Sequence, residues 1–175
     1  MKTLSLYILI IAIAFLYTIC KNTEPEDSNI TYDEAASYVN SNYTVLENFP
    51  YAELKKIIFS KNSAEKTRQL NQEFIKNYLG SDTIVEDVDC TDDGNFMQFS
   101  CSASGFLDVG TYAGFYFSKA DIPYAFEFSG MELVEVEPNV YEAEDEKGSK
   151  KEHNGHKFHT EKIRDNWYYY IQYWY

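Results

Sequence analysis

Positive charge is scarce in this chain: 15 lysines and arginines stand against 28 aspartates and glutamates. A surface of that balance repels phosphate backbones and anionic headgroups, which argues against nucleic acid as a partner and favours a basic protein or a cation. Catalytic signatures are missing as well. There is no G-x-S-x-G, no H-E-x-x-H and no glycine-rich phosphate loop, so a nucleophile elbow, a zincin helix and a P-loop are excluded. Acids such as Glu135 and Glu137 share a strand face and most simply solvate it. The expectation is a protein that is not an enzyme and holds no cofactor. A small secreted hydrolase, using carboxylates whose places the sequence does not fix, is the alternative.

Long apolar runs are also rare. The exception is Leu4 to Ile19, LSLYILIIAIAFLYTI, behind the positive Lys2. About sixteen residues fall short of the ~20 that a spanning helix needs, and residues 1–20 read as an export signal. The run ends in Tyr17-Thr18-Ile19 and then Cys20. This resembles the signal of bacterial lipoproteins, although Ile19 stands where their pattern has a small residue. The resemblance implies acylation of Cys20 and a lipid anchor to the membrane; cleavage just after Cys20 would instead release a secreted protein. Residues 21–30, polar, acidic and containing Pro25, suit a linker. Loss of the leader removes Lys2 and no acid, leaving 14 basic residues against 28 acidic. Asn29 and Asn42 each open a glycosylation sequon that matters only in a eukaryotic secretory pathway.

Only two further cysteines follow, Cys90 and Cys101. In an exported chain an even pair is expected as a disulfide, worth roughly 2–3 kcal/mol for so short a loop. The intervening Asp92-Asp93-Gly94-Asn95 is a turn signal. A two-residue turn on Asp93-Gly94 sets Cys90 opposite Met97, so the bond needs a bulge or a twist.

The remaining chain predicts one α+β domain, with helices over residues 31–80 and an antiparallel sheet over 81–175. Thr31 and Glu34 have capping-box spacing, and Pro50 suits a helix start. Asn62 and Glu65 are expected to cap a longer helix whose apolar face is Leu70, Phe74, Ile75, Tyr78 and Leu79, ending at Gly80. Period-two runs follow at 81–89, 96–103, 110–118, 124–128, 131–137 and 140–143. Residues 144–162 read mainly as a charged stretch. Helices ahead of a curved antiparallel meander are similar to cystatin-like and NTF2-like cones, a likeness of fold that implies no activity.

Aromatics concentrate at the end of the chain, in NWYYYIQYWY at 166–175. Strand alternation puts Trp167, Tyr169, Ile171 and Tyr173 on one face and Tyr168, Tyr170, Gln172 and Trp174 on the other. The first stripe is expected in the core. The second, interrupted by Gln172, is expected to face a partner through Tyr168, Tyr170 and Trp174; a sheet covered on both sides is the alternative. The ending also resembles the last strand of outer-membrane β-barrels, but a helical third of the chain does not fit a barrel.

The histidines fall together at His153, His156 and His159. A turn on Asn154-Gly155 would place the first two on one face and His159 on the other, which disfavours tight metal binding. Asp89, Asp93 and Gly94 match calcium-loop spacing only until Ser100 stands where a bidentate glutamate belongs. The functional expectation is an exported, membrane-tethered binding protein of the cell envelope. Its partner would be a basic protein or a carbohydrate, and inhibition of a basic secreted enzyme is a variant of the same idea.

Overall fold

A computed structural model describes residues 29–106, 109–125, 132–144 and 157–174. The leader, Cys20, most of the linker and the His153–His156 turn lie outside the described residues. Thr31 and Glu34 form the expected capping box of α1 (Tyr32–Ser41), which buries Ala35 and Val39. Asn42 then breaks the helix into α2 (Tyr43–Glu47), and Pro50 precedes α3 (Tyr51–Ile58). The longest helix, α4 (Ala64–Leu79), is capped by Ser63, whose hydroxyl accepts from the Lys66 amide at 3.3 Å. Asn62 and Glu65 do not fill that role. Gly80 ends α4 at φ 92°, where a side chain would be strained.

The strands are β1 (Asp87–Cys90), β2 (Phe96–Phe106), β3 (Val109–Ser118), β4 (Val134–Glu137), β5 (Val140–Glu144), β6 (Lys157–Arg164) and β7 (Trp167–Trp174). They form one open antiparallel sheet in the order β1-β2-β3-β7-β6-β5-β4, and the helices pack against it. The fold is α+β, as the periodicities imply. Residues 157–164 are an inner strand rather than part of a charged cover, with Phe158 and Thr160 buried. Residues 122–125 are not in a strand.

Side chains from both sheet faces are buried. On the helix side, Phe99, Phe115, Trp167 and Tyr169 pack with Val39, Leu46, Phe49, Leu54 and Ile75. Phe49 makes edge contacts to Phe74 and Phe99, and Phe99 stacks on Phe115 at 5.0 Å. On the other side, Tyr116, Ala143, Phe158, Tyr168 and Tyr170 form a second cluster, with Phe96, Ala125 and Leu133 packed against it.

That second cluster overturns the expected exposure of the even stripe. Tyr168 is 2% and Tyr170 0% exposed, Gln172 is buried as well, and Trp174 is half-buried at the strand end. Each tyrosine brings its hydroxyl in with a partner, which removes the penalty for burying it. Tyr170 accepts from Gln98 Nε2 at 2.9 Å and lies 3.1 Å from the Ser100 hydroxyl. Tyr116 pairs with Thr160 at 2.9 Å and accepts the Tyr124 amide at 3.1 Å. Burial pushes the Tyr116 and Tyr170 phenols up to about 12, so both stay protonated and able to donate.

The expected Cys90–Cys101 disulfide is not present; both are buried free thiols. Cys90 does sit opposite Met97, as the turn implies. Cys101 is the extra residue of a bulge between Ser100 and Ser102, four positions further along β2 than Met97. The bulge bends β2 without bringing the two sulfurs together. Burial, then the charge of Asp89, pushes the Cys90 thiol up to about 11, and burial raises Cys101 as well. Neither is primed as a nucleophile.

The turn after β3 is tied down by one carboxylate. Asp121, at φ 54°, accepts from Lys162 Nζ at 2.6 Å, the Asn166 amide at 2.8 Å and the Tyr168 hydroxyl at 3.1 Å. Burial acts to raise the Asp121 pKa, but these donated bonds outweigh it and the carboxyl is held below its usual range. Asp121→Asn keeps the shape and the tolerance for positive φ while losing the charge. It should cost about 1–2 kcal/mol in thermal or denaturant unfolding, partial exposure having trimmed the charged bonds. Because the folded pKa is lowered, the stabilisation is complete above the unfolded value of about 4 and fades as pH falls through the folded one. The wild type should therefore lose stability on the acid side more steeply than the variant.

Candidate functional site

The helices cover only part of their side of the sheet. Paired residues share a face, and one row on the helix side reads Phe99, Phe115, Tyr169, Glu161, Val140 from β2 across to β5. The next row reads Ala113, Ile171, His159, Glu142, Val134 from β3 to β4. Each row passes from core residues under the helices through polar ones to a valine on β5 or β4. His159 and Glu161, two apart on β6, point the same way, and Glu142 reaches His159 from the neighbouring strand.

The imidazole is held on both sides. Nδ1 lies 3.2 Å from Glu142 Oε1 and Nε2 lies 2.8 Å from Glu161 Oε1. The two bonds together require a proton on each ring nitrogen or on one carboxyl. The His159 side chain is 25% exposed, against 56% for Glu142 and 28% for Glu161. The edge of Tyr169 closes one side of the ring at 6.4 Å. Tyr32 meets Tyr169 edge-on at 6.0 Å and donates to the Lys162 carbonyl at 3.2 Å. Burial, and then the charge of Glu161, raises the Tyr32 phenol.

These groups line a cleft of about 400 Å³ together with Ile30, Tyr32, Tyr169, Ile171 and Tyr173. A strap formed by Asn29–Thr31 closes one side. Ser102 holds the strap by accepting the Ile30 amide at 3.1 Å, and the Tyr169 hydroxyl donates to the Ile30 carbonyl at 3.1 Å. A second cleft of about 380 Å³ shares Glu142, His159 and Tyr173 and continues along β4 past Val134 and Val136.

A larger, shallow hollow of about 910 Å³ lies on the other side of the strap, along α1 and β2. Several of its polar groups are engaged elsewhere. Tyr38 bonds Thr83 at 2.7 Å, Glu34 accepts from Thr31, and Ser102 holds the strap. Size alone does not make it a site, and the clustered charged groups lie in the smaller cleft.

Of the residues singled out from the sequence, His159 enters the cleft, whereas Tyr168 and Tyr170 belong to the opposite core and Cys90 and Cys101 to the helix-side core. The two carboxylates flank the ring on opposite edges instead of converging on one point. Among the described residues no group of three histidine, cysteine or acidic side chains is arranged to hold a metal ion. Asp87 is a carboxyl that burial, and then Asp89, pushes up. It accepts Asn71 Nδ2 at 2.7 Å and so fastens α4 to β1, well away from the cleft lining. Glu142 and Glu161 carry no signal of their own in the sequence; only the β5–β6 register brings them to His159.

Comparison with known proteins gives no relative: no protein-family model, no curated protein and no solved structure matches the chain.

Proposed function

We propose that this is an exported, membrane-tethered binding protein, not an enzyme, which takes a cationic segment of a protein partner in the His159 cleft. The observation that carries the reading is the imidazole clasped between Glu142 and Glu161 among aromatic walls. Carboxylates attract ammonium and guanidinium groups by charge, and the faces of neighbouring tyrosine rings attract them by the ring quadrupole. The surplus of acid over base supports the same sign of partner and speeds its approach. Both ring nitrogens of His159 meet carboxylates, so the ring is not set against a hydroxyl or thiol in the manner of a nucleophile's base. The leader that ends at Cys20 supports the export and tethering parts of the reading. An intact Met1 on protein purified from its host would remove them.

Calorimetric titration with a decalysine peptide tests the cleft. The double variant Glu142→Gln, Glu161→Gln should weaken binding about tenfold or more, or about 1.4 kcal/mol, and should flatten the salt dependence. Equal affinity in wild type and double variant would overturn the assignment of this cleft.

A further inference from the structure

Building on a cation-binding His159 cleft, we propose that the cationic partner segment is extended and adds to the open edge of the sheet beside β4 as a further strand. One of its basic side chains then enters the cleft.

The two edges of the sheet differ. At β1, Asn71 of α4 donates to the Val88 carbonyl at 2.8 Å and to Asp87, and Tyr51 of α3 donates to the Thr91 carbonyl at 2.7 Å. Helices therefore occupy that edge. Among the described residues the sheet order ends at β4, and all four strand residues are exposed, Val134 at 58% and Val136 at 50%. An edge strand with exposed valines is a template for pairing, and main-chain bonds along it supply affinity without demanding a sequence.

The β4 edge is also continuous with the proposed cation cleft. Val134 pairs with Glu142, which pairs with His159, and the β4-side cleft shares both with the inner one. A strand laid beside β4 would place one side chain next to Val134 in that row, about 10 Å from the Glu142 backbone and within reach of a lysine or arginine, since neighbouring strands lie about 4.8 Å apart.

Charge selects the occupant. Residues 132–144 hold Glu132, Glu135, Glu137, Glu142 and Glu144 and no lysine, arginine or histidine, so the acids outnumber Lys157, the lysine from β6 that lines the β4-side cleft. A second copy of this chain, offering its own β4, would set like charges side by side, which disfavours edge-to-edge self-association. A strand alternating basic and apolar residues, with its basic set on the cleft side, brings bases to Glu137 and toward Glu142 and turns its apolar set to the opposite face. The shortness of β4 and its irregularity between Glu135 and Glu137 limit indiscriminate pairing without preventing a short, charge-matched addition.

The test uses the full chain and a peptide of about ten alternating lysines and valines, with two further versions that are N-methylated on one or the other alternate set of backbone nitrogens. Strand addition uses one edge of the peptide. One methylated version should therefore bind at least about tenfold more weakly while the other stays within about threefold of the parent. Amide hydrogen exchange within Val134–Glu137 should slow when the parent peptide binds. If all three peptides bind alike and the β4 amides exchange as in the free protein, the strand addition is overturned. Sensitivity to Glu142→Gln, Glu161→Gln would in that case leave the cleft reading standing. If the parent peptide does not bind while decalysine does, the strand addition falls and the cleft reading stands; if neither binds, both fall.

Discussion

Gly114→Ala should be among the most damaging single substitutions in this protein, costing about 3–5 kcal/mol and leaving little folded material. A Cβ at this position would lie 2.0 Å from the Phe99 carbonyl oxygen and 3.1 Å from Tyr170 Cε1. The closest atom is backbone, so no rotamer change relieves the clash. Gly114 pairs with Ser100 on one side and Tyr170 on the other, immediately before the Cys101 bulge draws β2 inward. Relief would require β2 and β3 to part at the centre of the sheet, over the Phe99–Phe115 stack. Gly80 is the control. A Cβ there meets nothing within 4 Å, and only its φ of 92° is unfavourable. Gly80→Ala should cost about 1–2 kcal/mol. Urea unfolding of the two variants separates steric exclusion from backbone preference, and a Gly114→Ala protein no less stable than Gly80→Ala would show that the strands are not so close.

Tyr170→Ala should cost about 3–5 kcal/mol, as much as Tyr169→Ala on the opposite face. Tyr170 is fully buried, stacks parallel to Phe158 at a centroid distance of 6.3 Å, and receives Gln98. Tyr170→Phe isolates the hydroxyl. It should cost about 1–2 kcal/mol, because Gln98 loses its acceptor while the ring stays packed. Trp174→Ala, at the half-buried end of β7, should cost less than Tyr170→Ala. Denaturant midpoints of these variants measure how far β7 is sandwiched. A Tyr170→Ala protein within about 1 kcal/mol of wild type would restore the solvent-facing stripe.

The even stripe misleads because tyrosine and glutamine carry polar atoms that can be satisfied indoors. Gln172 looks like a mark of solvent, yet it is 5% exposed. The residues that make burial of the stripe tolerable, Gln98, Ser100 and Asp121, are far from it in sequence and meet it only through the tertiary fold. Local signals are more dependable. The Thr31–Glu34 box, the Gly80 stop and the placement of Cys90 opposite Met97 all depend on residues a few positions apart. β6 is obscured because only Phe158 and Thr160 of KFHTEKIR are buried, a weak alternation among charges. The site shares that difficulty. His159 stands out by residue type, but Glu142 lies 17 residues away and joins it through a register that no local pattern specifies.

β7 follows the other strands in sequence but lies in the middle of the sheet, between β3 and β6. Before it is in place, β1-β2-β3 and β6-β5-β4 are two separate hairpin assemblies with no strand in common. Its Tyr169 also secures Ile30, 139 residues earlier. The sheet is therefore complete only once β7 joins both halves, and its pairing with β3 closes a long loop, a kind of contact that slows folding. A nascent chain that cannot close its sheet until residues 167–174 are available stays threadable for longer.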